Sequence, residues 1–273
     1  MTVSTESAII TRLRDAGCVF AEDEARLLLS EAPSPDELAD MVQRRTDGLP
    51  LEQVLGWAQF CGLRVRLVPG VFVPRRRTEF LVRQAVALVR PGPVVVDLCC
   101  GSGAVGAALA ASLGDIVLHA ADIDAASVAC ARSNLPAGAE VHQGDLFEAV
   151  PHRLRGTVGL LAVNAPYVPS DDIAMLPPEA RSYEPWTALD GGADGLDVLR
   201  EVGVQAARWL APGGHVIVET GEQQALLLAE VFARSGLIPR TASSAELNAT
   251  VVIGTRPAAG APESGVPRGG ELN

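Results

Sequence analysis

Apolar residues recur at helical spacing over residues 4 to about 48. Ser7-Ala8-Ile9-Ile10 with Leu13, Ala25-Leu28-Leu29, and Leu38-Met41-Val42 each fall on one helical face, which predicts a set of short helices. Pro33 and Pro35 punctuate them, and Gly48-Leu49-Pro50 stops the last. The pattern then shortens. Gln53–Phe60, Leu63–Leu67 and Val71–Pro74 read as extended pieces joined by Gly62 and Pro69-Gly70, a hairpin that bridges two domains.

From Thr78 the period alternates between helix and strand. Helices are predicted at 78–90, 103–113, 124–134, 195–210 and 222–235. Strands are predicted at 93–98, 116–122, 139–142, 158–163 and 214–219. Segments 237–243 and 249–255 follow each other without a helix and can pair antiparallel. Strands alternating with helices imply an α/β domain whose parallel sheet is covered on both faces. The expected division is 1–50 helical, 51–77 hairpin linker, 78–256 α/β domain, and a Pro/Gly/Ala-rich tail over 257–273 that is expected to be disordered.

Composition removes several chemistries. The 273 residues include 22 arginines and no lysine, which excludes a Schiff-base lysine and the lysine-bearing phosphate loop. The net charge is -11, and the division is uneven: residues 1–80 hold 10 Arg and 12 acids, residues 81–273 hold 12 Arg and 21 acids. Such acidity in the second part is a poor match for a nucleic acid gripped by general phosphate contacts. Five cysteines without a CxxC pair suggest neither a disulfide framework nor zinc. The four histidines, His119, His142, His152 and His215, lack metal-ligand spacing, so no metal is expected. The chain lacks a signal-peptide pattern and an apolar run of membrane length, and a cytoplasmic protein is expected.

The first strand runs into Asp97-Leu98-Cys99-Cys100-Gly101-Ser102-Gly103, a strand-to-helix turn. Glycines there let the backbone approach a ligand, and the helix start presents free N–H groups. Gly101-x-Gly103-x-x-Gly106 fits the dinucleotide fingerprint, a weak match by itself. The competing pattern is the D-x-G-x-G-x-G turn of S-adenosylmethionine (SAM) methyltransferases, with Cys99 in place of the first glycine. That replacement keeps the backbone path if φ at Cys99 is negative. On this second reading Asp97 can face the amino group of SAM. Asp122, with Ile123 beside it, ends the next strand, where a carboxylate binds a ribose diol. Asp145, before Leu146, ends the third and can accept from an adenine amine, or simply cap a helix.

Asn164-Ala165-Pro166-Tyr167 follows the fourth strand of the alternating region and therefore shares the crevice at the strand ends. A conjugated NH2 group is a poor nucleophile because its lone pair is delocalised. Two acceptors on its two N–H bonds orient it and favour pyramidalisation during attack. Asn164 Oδ1 and the carbonyl of Ala165 supply them, and the Tyr167 ring can stack on the planar group. SAM already carries an activated leaving group, so positioning is most of the task.

Further segments make the pattern specific. Pro74-Arg75-Arg76-Arg77-Thr78-Glu79 is similar to P-R-P-x-T-E, Tyr183-Glu184-Pro185 with Ala188-Leu189 to F/Y-E-P-x-x-A-L, and Glu219-x-Gly221 also agrees. With Asp97–Gly103, Gly144–Phe147 and Asn164–Tyr167, the chain resembles the HemK-like family of protein N5-glutamine methyltransferases over about 50 to 256. The resemblance implies a seven-stranded, Rossmann-like, SAM-dependent methyltransferase sheet, mostly parallel with its last strand antiparallel, behind a small N-terminal helical domain. It implies methyl transfer to a protein glutamine, typically that of the Gly-Gly-Gln motif of peptide-chain release factors. The alternative is a nucleic-acid amino-methyltransferase, since Asn-Pro-Pro-Tyr is shared with enzymes acting on adenine and guanine.

The chain departs from the family at two places. Ala165 stands where members have proline, and Arg76-Arg77 stand where they have proline and an acid. The run Arg75–Arg77, with Arg64 and Arg66, is a candidate docking place for an acidic partner or RNA, or else a solvated basic loop. The segment from Pro177-Pro178 through Gly191-Gly192, inside an insertion over 168–194, is expected to be a mobile flap over the substrate.

Overall fold

The computed structural model describes residues 3–89 and 92–258. The tail beyond 258 lies outside the described residues. Four helices open the chain: α1 (Val3–Asp15), α2 (Ala21–Glu31), α3 (Pro35–Thr46) and α4 (Leu51–Leu55). Ser34 caps α3 by accepting the Glu37 N–H at 3.2 Å, and Pro35 fits the first turn, where its missing N–H leaves no bond unmade. Leu13, Ala25, Leu28, Met41, Val42 and Val54 form a core of their own.

Gln53–Leu55 is helical rather than extended. Pro50 starts this turn and Gly56, at φ 77°, ends it in the left-handed conformation. Leu51, Val54 and Leu55 have helical spacing and pack against the first three helices. The hairpin itself is shorter than predicted: β1 (Trp57–Phe60) pairs antiparallel with β2 (Leu63–Arg66) through a Cys61-Gly62 turn. Residues 71–74 belong to no strand, contrary to expectation.

The alternating region follows as α5 (Glu79–Leu88), β3 (Val94–Leu98), α6 (Ala104–Leu113), β4 (Val117–Asp122), α7 (Ala125–Asn134), β5 (Glu140–Gln143), α8 (Leu146–Ala149), β6 (Val158–Val163), α9 (Pro178–Tyr183), α10 (Asp197–Trp209), β7 (Leu210–Thr220), α11 (Ala225–Arg234), β8 (Ile238–Ser244) and β9 (Ala249–Thr255). Seven strands form one sheet in the order β5-β4-β3-β6-β7-β9-β8. β5, β4, β3, β6 and β7 are mutually parallel, whereas β9 runs antiparallel between β7 and β8. The last strand is therefore the reversed one, as expected.

Alternate residues of the central strands serve opposite cores. Val96, Leu98, Leu161 and Val163 pack with Leu199, Val202 and Trp209 of α10 and Phe232 of α11. Val95, Leu160 and Ala162 pack with Leu81 and Val82 of α5 and Leu109 of α6. Burial on both faces explains why these strands read as continuous apolar runs. The carboxylates and amide that line the cavity come from the strand ends.

Trp209 joins this core to the strand-end loops. It is almost fully buried, stacks on Phe147 with ring centroids 5.2 Å apart, and carries Arg155 5.2 Å from its own ring. Trp209→Ala should cost about 3–5 kcal/mol, read as a lowered denaturant midpoint. Because Phe147 follows Asp145-Leu146, the same variant should also weaken cofactor binding in calorimetry.

Candidate active site

The ends of β3, β4, β5, β6 and β7 open into one cavity of about 550 Å³. The sequence-predicted residues meet there in two groups. Cys99, Cys100, Gly101, Ser102, Asp122, Ile123, Asp145 and Leu146 line one part, and Asn164, Ala165, Pro166 and Tyr167 line another. Asp97 and Gly103 stand behind that wall.

The turn after β3 is built on positive φ. Cys99, Gly101 and Gly103 have φ of 55°, 53° and 78°. Cys99 therefore does not take the negative φ expected of it. It occupies a left-handed conformation that glycine adopts freely and that costs an L-residue roughly 1–2 kcal/mol. Packing of the thiol against the core below helps hold it there. A Cβ on Gly103 would lie 3.1 Å from Ala131 Cα, so α6 can approach α7 closely only with glycine at this position.

Two carboxylates shape this turn. Asp97 is buried, and its Oδ2 accepts the Gly106 N–H at 2.8 Å, tying β3 to the first turn of α6. Burial pushes its carboxyl up to about 7, the Gly106 N–H opposes this, and the Asp122 charge adds to it. Asp122 accepts from Gly101 N–H at 2.8 Å and from Asp124 N–H at 2.9 Å. Burial raises its pKa too, against these two N–H bonds. Burial also raises the pKa of Cys99 and Cys100, leaving both as neutral thiols.

Asp145 sits at the start of α8 without making a side-chain cap bond, so its carboxylate is left to the cavity. Leu146 next to it is held at φ 41°. Ile123, 58% exposed, offers an apolar surface on the same wall. This donor set fits SAM: a backbone cradle with positive φ, a carboxylate at the end of β4 for a ribose diol, and an apolar slot with a free carboxylate for adenine.

The second group is held by bonds that the sequence pattern did not reveal. Tyr167 Oη donates to Glu219 Oε1 at 2.8 Å, and Arg77 Nε donates to the same oxygen at 3.2 Å. Burial and the Glu219 charge raise the Tyr167 phenol, which stays protonated. The Tyr167 carbonyl accepts from Gln224 Nε2 at 2.9 Å. Gly195 packs into this arrangement at φ 75°. A Cβ there would stand 2.2 Å from Gln224 Nε2 and 2.3 Å from the Tyr167 oxygen. Glu219 was legible only as part of E-x-G; nothing in its spacing indicated that it meets Tyr167.

The insertion over 168–194 is folded and anchored. Glu184 is buried, accepts from Val73 N–H at 3.2 Å and pairs with Arg75 at 2.5 Å. Tyr183 Oη donates to the Asp47 carbonyl at 3.0 Å, and Arg45, paired with Glu24 at 2.6 Å, also reaches Glu179 at 3.2 Å. Helix α9 is thus pinned to the N-terminal helices, while Leu176, Pro177 and Trp186 line the cavity. These contacts also engage part of the basic run. Arg75 and Arg77 reach the buried Glu184 and Glu219, and Arg64 pairs with Glu31, while Arg66 and Arg76 remain exposed. Outside the cavity, His119 and His142 meet with ring nitrogens 3.3 Å apart, near Glu140. The rings are nearly coplanar with centroids 5.6 Å apart, the arrangement of an edge-to-edge hydrogen bond between neutral imidazoles.

A mostly parallel sheet with this strand order, a glycine cradle after its first strand and Asn-x-Pro-Tyr after its fourth defines a SAM-dependent methyltransferase. A family model described as methyltransferase small domain matches residues 63–169. A release factor glutamine methyltransferase of Geobacter sulfurreducens is 37% identical over 209 residues, covering 74% of this chain and 72% of the relative. The chain belongs to the release factor glutamine methyltransferase family. A Streptomyces pristinaespiralis relative named 4-amino-L-phenylalanine/4-methylamino-L-phenylalanine methyltransferase is also 37% identical, over 83% of this chain and 80% of its own length. Among solved structures, a methyltransferase from Pyrococcus furiosus shares the fold, with a TM-score of 0.55 at 17% identity, over 80% of this chain and 99% of that one. Among the described residues no helix is long and apolar enough to cross a membrane.

The buried Asp97 sets a pH dependence. Its ordinary pKa is 3.8, so between about pH 4 and 7 the native state keeps a proton that the unfolded chain has released. The stability this gives is full in acid and is lost as pH rises through 7. Asp97→Asn retains an acceptor for Gly106 and removes the titration. The melting temperature of the wild type relative to this variant should therefore be higher at pH 5 than at pH 8.

Proposed function

We propose that this chain methylates the side-chain amide nitrogen, N5, of a glutamine in a protein, a peptide-chain release factor being the substrate class that its family supports, and that it acts in the cytoplasm. The observation carrying this reading is Asn164. It stands half-buried at the end of β6, lines the same cavity as Asp122 and Gly101, and its side chain makes no hydrogen bond among the described residues.

SAM, when bound, supplies an electrophilic methyl group on a sulfonium. Gly101, Ser102 and Gly103 shape the turn beside it, with Cys99 and Cys100 lining the wall and Asp97 bracing it from behind. Asp122 and Ile123 take the ribose side, Asp145 and Leu146 the adenine. Asn164 Oδ1 and the Ala165 carbonyl accept the two amide N–H bonds, withdrawing the nitrogen lone pair from conjugation and aiming it at the methyl group. Pro166 keeps the segment extended, and the Tyr167 ring provides the face on which the planar amide lies. The methylated nitrogen then sheds its proton readily, so no strong base is required.

A free aromatic amine is the second reading. Its lone pair is delocalised in the same way, the cavity lining includes Phe72, Leu176 and Trp186, and the Streptomyces pristinaespiralis relative is named for such an acceptor. Nucleic acid is not favoured, because Arg64, Arg75 and Arg77 are already paired with acids.

Labelled SAM should be incubated with purified release factor or with 4-amino-L-phenylalanine, and the products mapped by mass. Label on the release-factor glutamine is expected; label on the amine alone would favour the second reading. Asn164→Ala should lower kcat by roughly 10²–10³ while leaving S-adenosylhomocysteine affinity nearly unchanged, by analogy with removal of one preorganised polar contact. Ala165→Pro keeps the carbonyl and should remain active; a collapse would mean that alanine is adapted to an acceptor other than the family's.

A further inference from the structure

Glu219 holds an atom for which the fold provides no partner. The residue is 2% exposed and lines the cavity. Its Oε1 is taken by Tyr167 Oη and Arg77 Nε, whereas Oε2 is buried without a hydrogen bond. A buried carboxylate oxygen left unpaired is costly, and a ligand N–H placed on it removes the cost.

The sheet order indicates which ligand. Across β5-β4-β3-β6-β7 come Asp145, Asp122, the Cys99–Gly103 turn, Asn164 and then Glu219. Val163 of β6 is opposite Val218 of β7, so the next residues, Asn164 and Glu219, are neighbours at adjoining strand ends. Glu219 therefore lies beyond Asn164, on the side away from the cofactor turn. We propose that Glu219 is a positioning and specificity residue on the acceptor side: Oε1 fixes the plane of the Tyr167 ring, and Oε2 receives an N–H of the acceptor molecule other than those of the transferred amine. For a glutamine in a peptide that donor is a main-chain N–H; for a free amino acid it is the ammonium.

Arg77 completes the arrangement. Its guanidinium lies 5.7 Å from the centre of the Tyr167 ring and balances the Glu219 charge, so the carboxylate is held between a cation and a phenol. Arginine here stands where the family pattern has an acid, so this chain has its own version of the contact. The inference rests on amine methylation at Asn164 and on no particular acceptor.

The test is Glu219→Gln beside Tyr167→Phe, with steady-state kinetics on whichever of release factor and 4-amino-L-phenylalanine the wild type methylates, and calorimetry with S-adenosylhomocysteine. Glu219→Gln should raise acceptor KM about ten-fold or more and leave S-adenosylhomocysteine affinity within about two-fold. Tyr167→Phe should lower kcat several-fold with little change in KM. A ten-fold loss of S-adenosylhomocysteine affinity with unchanged KM would assign Oε2 to the cofactor's ammonium and overturn the proposal, as would wild-type kinetics in Glu219→Gln. If Glu219→Gln does not fold, an unchanged kcat in Tyr167→Phe overturns it alone. A wild type that methylates only the amine defeats the glutamine reading and still leaves Glu219 to be judged on that amine.

Discussion

Parallel strands buried on both faces place most of their polar groups at their ends, and the site of this molecule follows from that constraint. β3, β4, β5, β6 and β7 all point their carboxyl ends to one edge. Asp122, Asp145, Asn164 and Glu219 gather at that edge, where the strands run out of the two apolar cores. The crevice is thereby polar on its floor and apolar around it, the environment in which a few fixed acceptors act strongly on a reacting nitrogen.

Keeping that edge in shape involves strain and a buried carboxyl. Cys99 and Leu146 both hold positive φ at the cavity wall, and Asp97 is buried beneath it. Such conformations persist only where the surroundings over-determine them. Here the Gly106 N–H, the Asp122 bonds to Gly101 and Asp124, and the Trp209–Phe147 stack supply that support.

The acceptor side is organised by ion pairs instead. Arg75 with Glu184, Arg77 with Glu219, and Arg45 between Glu24 and Glu179 link the N-terminal helices, the 168–194 insertion and the strand ends. Partly buried pairs of this kind contribute less to net stability than to fixing which surfaces meet. The insertion is consequently a folded wall of the cavity, with Tyr183 and Glu179 tying it to helices more than a hundred residues earlier in the chain.

Local information in the chain determined most of the succession of helices and strands from Thr78 onward, because burial on both faces writes the central strands as apolar runs; the short helices α8 and α9 were not legible in this way. It also determined the cofactor turn and Asn164–Tyr167, whose residue types are dictated by backbone shape and by amide chemistry within a few positions. It was least informative where the outcome depended on distant partners. Gln53–Leu55 became helical through packing on α1–α3, and Cys99 took positive φ because the core below holds its thiol. Two members of the arginine run are tied to distant acids, Arg75 to Glu184 and Arg77 to Glu219, 109 and 142 residues away, while Arg76 stays exposed. Spacing along a chain reports neighbours on one element. Which carboxylate meets which cation, and which oxygen is left without a partner, was decided only when the sheet closed and brought β7 beside β6.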